Sequence, residues 1–274
     1  MAENKIYHGD NLEILKELEE NSIDFIYTDP PFNTGRSQRS HGMSYDDSFD
    51  DLVEFLKPRL EEARRLLKPN GSIMVHLDYR EVHYVKVYLD TLLGRDNFIN
   101  EVIWSFDFGA RQKNKWPTKH QTILWYAMDR KNYTYNYEAQ KRIPYLAPGL
   151  CGPEKAAKGK TQTDVVFQTV CATNGPERTK YPSQKPLGLI DQFIKVHTNP
   201  GDLVLDFFAG SGTLGQSAHN FNRNFILIDQ NKEAIEVMKK RFKDIDVDYI
   251  EKEDIESNTQ DQDETEESSQ NQVQ

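Results

Sequence analysis

The first residues in this 274-residue chain whose types and spacing could do chemistry are Asp29-Pro30-Pro31-Phe32. A carboxylate, a carbonyl held by a rigid imide ring and an aromatic face stand within four positions. That set could accept hydrogen bonds from an amine and stack on a planar group. Taken alone, Asp-Pro-Pro is more simply a turn. A second constellation lies far downstream. Asp206 ends one apolar run, Phe207-Phe208-Ala209-Gly210-Ser211-Gly212-Thr213 follows, and Asp229 ends the next apolar run. Small residues in that turn let backbone approach a ligand closely. An acid at the tip of the following strand is placed to hold ribose hydroxyls. The spacing is not the dinucleotide glycine pattern, and no Gly-Lys-Ser/Thr phosphate loop follows. A nucleoside without phosphate fits better, and S-adenosyl-L-methionine is such a cofactor.

The surrounding elements must position these groups. Ile23–Tyr27 is short, β-branched and aromatic, so it reads as a buried strand. Prolines 30 and 31 stop it, because each lacks a donor and fixes φ. Asp29 therefore sits at the C-terminal edge of a sheet, where open α/β sheets bind ligands. Lys5–Asp10 reads as a strand, and Asn11–Glu20 as a helix with Leu12, Leu15 and Leu18 in period, capped by Asp10 or Asn11. Asp51–Leu67 and Glu81–Leu93 read as helices flanking a strand over Ser72–Leu77. Strands are expected at Ile99–Phe106, Gln121–Met128 and Tyr133–Tyr137. Helices are expected over 187–197, from 213 and over 232–242, with strands at 202–206 and 224–228. The alternation defines an α/β protein. Asn33–Ser48 is polar, with Gly35 and Gly42, and is a candidate mobile lid or an ordinary surface loop.

Charge is unevenly distributed. The net charge is −10, and residues 243–274 carry all of it. Residues 109–185 hold 14 basic against 5 acidic side chains, interleaved with aromatics. Such a stretch is either a solvated face or a polyanion-binding surface. Beyond Asp248 the composition is acidic and Gln/Ser/Asn-rich, so residues 246–274 are expected to be a disordered acidic tail. No apolar run reaches the ~18 residues that span a bilayer, and the N-terminus shows no signal-peptide pattern. Cys151 and Cys171 lack metal-site spacing and read as free thiols. A cytoplasmic protein without a metal site is expected.

Together, Asp29-Pro30-Pro31-Phe32 and Phe208-Ala209-Gly210-Ser211-Gly212 resemble the two signature motifs of amino-group DNA methyltransferases. The catalytic motif comes first and the cofactor motif last, which resembles the β-group. Tyr181-Pro182-Ser183-Gln184-Lys185-Pro186 is similar to the element that precedes the cofactor motif there, and Gly9-Asp10 with Leu12–Leu15 to the opening cofactor segment. Phe32 stands where Tyr is commonest, and Tyr181 and Ser183 where His and Thr are frequent.

The resemblance covers roughly residues 4–245. It implies a Rossmann-like, S-adenosylmethionine-dependent methyltransferase fold, with a largely parallel twisted sheet, helices on both faces and a small inserted target-recognition region. Residues 1–108 would be the catalytic half, 109–180 the insert and 181–245 the cofactor half. Asp29 and the Pro30 carbonyl would accept from the exocyclic amine of a flipped-out base, Pro31 would fix the rim and Phe32 would stack. Asp206, Phe208, Gly210 and Gly212 would line the methionine pocket. Asp229 would hold the ribose and Asp10 the adenine edge, with Ser183 and Lys185 near the cofactor carboxylate. Asp10 as a plain helix cap, Phe208 as plain core and Lys185 as a surface residue remain alternatives. Arg36, Arg39, Arg111, Lys113, Lys115 and Lys119 would meet phosphates. Double-stranded DNA is the implied partner, and a homodimer and a cognate restriction endonuclease are compatible with it. Asp at the first motif position resembles the N6-adenine enzymes, whereas Ser is typical of the N4-cytosine ones.

Overall fold

The computed structural model describes residues 4–109 and 111–252. In chain order the strands are β1 (Lys5–His8), β2 (Ile23–Thr28), β3 (Gln38–Ser40), β4 (Met43–Tyr45), β5 (Leu67–Leu77), β6 (Phe98–Ser105) and β7 (His120–Ala127). They continue with β8 (Arg142–Ile143), β9 (Lys160–Thr161), β10 (Val165–Phe167), β11 (Leu203–Asp206), β12 (Asn224–Asp229) and β13 (Asp248–Glu251). The helices are α1 (Asn11–Glu17), α2 (Leu52–Leu66), α3 (Val82–Leu89), α4 (Pro153–Lys158), α5 (Leu187–His197), α6 (Thr213–Asn220) and α7 (Lys232–Arg241).

Nine strands form one sheet in the order β10-β6-β7-β5-β2-β11-β12-β1-β13. Every pairing is parallel except those of β7, which runs antiparallel between β5 and β6. The largely parallel sheet with helices on both faces is thus present. Its central strands read as near-continuous apolar runs because both faces are covered. Ile26, Ile73, Val75, Leu205 and Ile228 face a layer that includes Leu15 of α1, Leu56 and Leu60 of α2 and Val85 of α3. Their alternate neighbours Phe25, Tyr27, Met74, Val204 and Leu227 face Leu189 and Phe193 of α5, Leu214 of α6 and Met238 of α7.

Three expectations change. The basic stretch is not one insert. β7 lies inside the main sheet, with Tyr126 fully buried, because its apolar run pairs on both sides. The direction of β7 then divides what surrounds it. Residues 106–119 and 168–186 emerge at the edge that carries Asp29, whereas 128–164, with α4 and the β8–β9 pair, lie at the opposite edge. Tyr133–Tyr137 is not a strand. Asn136 instead ties this segment to the end of α5, donating from its backbone to the Val196 carbonyl (2.7 Å) and from its amide to the Thr198 carbonyl (2.8 Å). Finally, the acidic tail begins later than its composition implies. Asp248-Tyr249-Ile250-Glu251 forms β13 on the free side of β1, where Tyr249 and Ile250 supply β-propensity that the flanking acids mask. The rest of that expectation, residues 253–274, lies outside the described residues. No helix among the described residues is long and apolar enough to cross a membrane.

Candidate active site

The C-terminal ends of β2, β11 and β12 bring Asp29, Asp206 and Asp229 to one cavity of about 580 Å³. Buried strands end there in acids, and acids out of water need partners. Backbone donors provide them. Asp229 accepts from Gly210 N (2.7 Å) and Asn231 N (2.8 Å), which binds the glycine turn to the neighbouring strand tip. Asp206 accepts from Phe208 N (3.0 Å). Burial raises the Asp229 carboxyl to about 6, against the opposing pull of those two donors. Burial pushes Asp206 well above the usual range, and Asp29 and Asp229 add to the push. Several carboxylates crowding a dry cavity suit a ligand that carries positive charge.

Asp29 is held from across the site. Its Oδ2 takes a hydrogen bond from the ammonium of Lys185, 156 residues away, and Lys185 is almost wholly buried. The other oxygen, Oδ1, is buried and has no hydrogen-bond partner. Burial raises the Asp29 carboxyl, and Lys185 pulls it back down. His76 Nδ1 lies 4.0 Å from Oδ1 and shares a 2.6 Å hydrogen bond with the Tyr27 hydroxyl. Burial, with Lys185 nearby, lowers the His76 pKa well below the ordinary imidazole value, so the ring is neutral. Phe32 packs over the same place, its centroid 6.0 Å from the His76 ring and 5.1 Å from the Lys185 ammonium.

Residues 33–48 are folded over the cavity rather than loose. β3 and β4 form a hairpin. Buried Asp47 fastens its base by accepting from Asn33 N (2.7 Å), Thr34 Oγ1 (2.5 Å) and Gln38 Nε2 (3.1 Å). Tyr45 stacks on Tyr181 with centroids 6.5 Å apart and bonds the Ser183 hydroxyl (2.8 Å). Asn231 donates to the Ser44 carbonyl (2.9 Å), joining the hairpin to the end of β12.

Most of the expected site residues are brought together. Asp29, Pro31, Ser183, Lys185, Asp206, Phe208, Gly210 and Asp229 line the cavity. Pro30 and Phe32 complete the rim beside it. Asp10 and Gly212 do not line it. Asp10 caps α1, accepting from Leu12 N (2.8 Å), and its second oxygen pairs with Arg59 (3.0 Å). Gly212, at φ +72°, starts α6 against the core, and a Cβ there would lie 2.9 Å from Met238 Cγ. Lys185 meets the Asp29 carboxylate, a closer partner than the one expected for it.

Two residues at the site escape the motifs, Arg59 in the cavity wall and His76 behind Asp29. Arg59 sits in the apolar stripe of α2, bonding Asn11 Oδ1 (2.6 Å) and lying over the Phe55 ring at 3.8 Å. His76 is buried in the middle of β5. A lone cation or imidazole inside an otherwise apolar period was the available signal for each.

The six basic residues expected to meet phosphates all lie on the cavity's edge of the sheet. Arg36, Arg39, Arg111, Lys113 and Lys115 are exposed there. Lys119 is more confined, since its ammonium donates to the Phe108 (2.5 Å) and Gly109 (2.8 Å) carbonyls. Among the described residues, no group of three or more His, Cys, Asp and Glu side chains is placed to hold a metal ion. Cys151 and Cys171 are free thiols.

A largely parallel α/β sheet with an acid-lined cavity at the C-terminal ends of its strands belongs to the class of α/β proteins that bind their ligand at that edge. Residues 23–240 match the DNA methylase family model N6_N4_Mtase, and the chain belongs to that family. It is 34% identical over 231 residues to the type II methyltransferase M.HpaI of Haemophilus parainfluenzae, covering 84% of this chain and 71% of that protein. It is 31% identical over 268 residues to the type II methyltransferase M.HinfI of Haemophilus influenzae, covering 88% and 69%. Among solved structures, M1.HpyAVI in complex with SAM superposes with a TM-score of 0.59 at 28% identity, over 86% of this chain and 98% of that one. The cytosine-N4-specific PvuII DNA methyltransferase shares the fold, with a TM-score of 0.67 at 20% identity over 88% and 87%.

Proposed function

We propose that this protein is a site-specific DNA methyltransferase that moves the methyl group of S-adenosyl-L-methionine to the exocyclic N6 of a flipped-out adenine. The observation that carries the reading is Asp29 at the strand tip, with one carboxylate oxygen buried and unpartnered. An exocyclic amine is a weak nucleophile because its lone pair is delocalised into the ring. Asp29 Oδ1 and the Pro30 carbonyl accept its protons and favour a pyramidal nitrogen, an effect of positioning and fixed charge. Phe32 stacks on the extruded base. Asp29 is also the nearest carboxylate to take up a proton as the nitrogen is methylated.

The cavity suits this cofactor by charge and size. Asp206 and Asp229 offer acceptors to an ammonium group and to ribose hydroxyls, and Phe208 gives an apolar wall. When bound, the cofactor supplies an electrophilic sulfonium methyl. The backbone of Gly210 keeps the turn close, because a Cβ there would press on the Tyr181 ring at 3.1 Å.

DNA as substrate is supported by membership of the family and by the exposed cations on the cavity's edge. N4-cytosine methylation is the second reading, since the PvuII enzyme shares the fold. Asp29, where cytosine enzymes typically carry Ser, favours adenine. The type II label of both relatives supports pairing with a cognate restriction endonuclease in a bacterial cytoplasm. A homodimer is the further arrangement proposed. Asp29→Ala tests the core of this reading with labelled-methyl transfer to duplex DNA and, separately, calorimetric titration of the cofactor. Transfer should vanish while cofactor affinity survives, and equal loss of both would contradict the role given to Asp29.

A further inference from the structure

We propose that Lys185 is a positioning residue for methyl transfer. By holding Oδ2 of Asp29 it keeps that carboxylate turned and ionised, so that Oδ1 stands open as the acceptor for the target amine. The inference rests on the methyltransferase reading but assigns a residue and a division of labour that the motif does not contain.

The geometry separates the two oxygens of one carboxylate. Oδ2 is bonded to the Lys185 ammonium, and Oδ1 is buried without a partner. An unpartnered carboxylate oxygen out of water is costly unless a ligand completes it. His76 does not complete it, because at 4.0 Å it lies beyond hydrogen-bond reach and its Nδ1 is engaged by Tyr27. Lys185 is itself locked in place. It is 7% exposed, it stands two residues after Ser183, whose φ is +57°, and its carbonyl accepts from Thr213 Oγ1 at 3.3 Å in the first turn of α6. A non-glycine residue in the left-handed region signals a turn that the surroundings impose. Here the turn aims the lysine at β2.

The environment explains why a cation is needed. Tyr27 of β2, His76 of β5, Tyr45 and Asp47 of the 33–48 segment and Asp206 of β11 all face Asp29. His76 is neutral, Tyr27 is a buried phenol and Tyr45 a half-buried one, and Asp47 opposes a negative charge on Asp29. Lys185 is the only cation among these neighbours. A protonated Asp29 would present a hydroxyl and lose an acceptor. The nitrogen would then stay planar, and its lone pair would remain in the ring.

The test uses K185Q and K185R in the full-length protein. Two readouts separate this inference from the reading beneath it. The first needs no activity: an infrared titration of Asp29 in the free protein, with the carboxyl band identified by its loss in D29N. The second is the pH profile of the single-turnover methylation rate on duplex DNA at saturating cofactor. Removing the cation should move the Asp29 titration, and the acid limb of the rate, upward by about one pH unit or more. K185R should restore both. K185M, which keeps the apolar stem, carries the same test should K185Q fail to fold.

An unmoved titration in a folded K185Q protein would overturn the proposal. So would a cofactor Kd that weakens equally at every pH while the acid limb stays fixed, since that is what a contact to the cofactor alone produces. Absence of methylation in the wild type would instead refute the methyltransferase reading, and the infrared arm would still decide how Lys185 acts on Asp29.

Discussion

With Asp229 as the proposed ribose acceptor, cofactor affinity should depend on pH around the titration of its carboxyl. Its carboxyl is raised to about 6, chiefly by burial. In the proposed role, the ionised form would accept from ribose hydroxyls while keeping its bonds to Gly210 N and Asn231 N. Because the pKa is raised, the ionised fraction is nearly complete at pH 7 and about one tenth at pH 5. Affinity should therefore fall about tenfold between pH 7 and pH 5, or ~1.4 kcal/mol. Asp229→Asn keeps the shape but turns one acceptor into a donor opposed to Gly210 N or Asn231 N. Hydrogen bonds to charged groups are worth about 1.5–3 kcal/mol, so Kd should rise by roughly 10–150-fold at pH 7. The residual affinity should lose the part of its pH dependence centred near pH 6. Isothermal titration with the cofactor from pH 5 to 8 reads both effects. A wild-type affinity that is flat across that range, or an Asn variant that binds like wild type, would refute the role assigned to Asp229.

Gly212→Ala should destabilise without touching the cavity. The left-handed φ costs about 1–2 kcal/mol and the clash with Met238 about 1–3 more, lowering the melting temperature by roughly 5–15 °C, while cofactor affinity below the melt is retained. Gly210→Ala should do the reverse in emphasis, weakening the cofactor by pressing on Tyr181 in the cavity wall. For DNA, the double variant K113A/K115A should reduce the slope of log K against log salt by about 2. R130A/K131A, at the opposite edge of the sheet, should leave it unchanged, and equal effects from both pairs would contradict the assigned DNA-facing edge.

What the sequence carried locally was legible. The strand into Asp29, the α2 helix and the turn that follows Asp206, where Asp206 accepts from Phe208 N, each rest on neighbours a few residues away. Information that arises only when distant segments meet was not. β7 looked like part of a basic insert because charge surrounds it, and only pairing with β5 and β6 places it in the sheet. The same pairing sends 128–164 to the far edge, which no local pattern encodes. β13 was hidden by acids because its strand character depends on the open side of β1. Lys185 could be assigned to the cavity, but its bond to Asp29 spans 156 residues. Asp10 fits two patterns at once, and the structure shows it capping α1 and pairing with Arg59.

In the proposed reaction, Asp29 and its rim hold the amino group of an adenine for methylation. Expression in a host without DNA methylation, followed by sequencing of the genome for modified bases, tests it most directly. N6-methyladenine should appear at one fixed sequence motif and be absent when Asp29 is replaced by Ala. N4-methylcytosine at a fixed motif would contradict the choice of base. Unmodified DNA from a protein that binds its cofactor would contradict the claim as a whole.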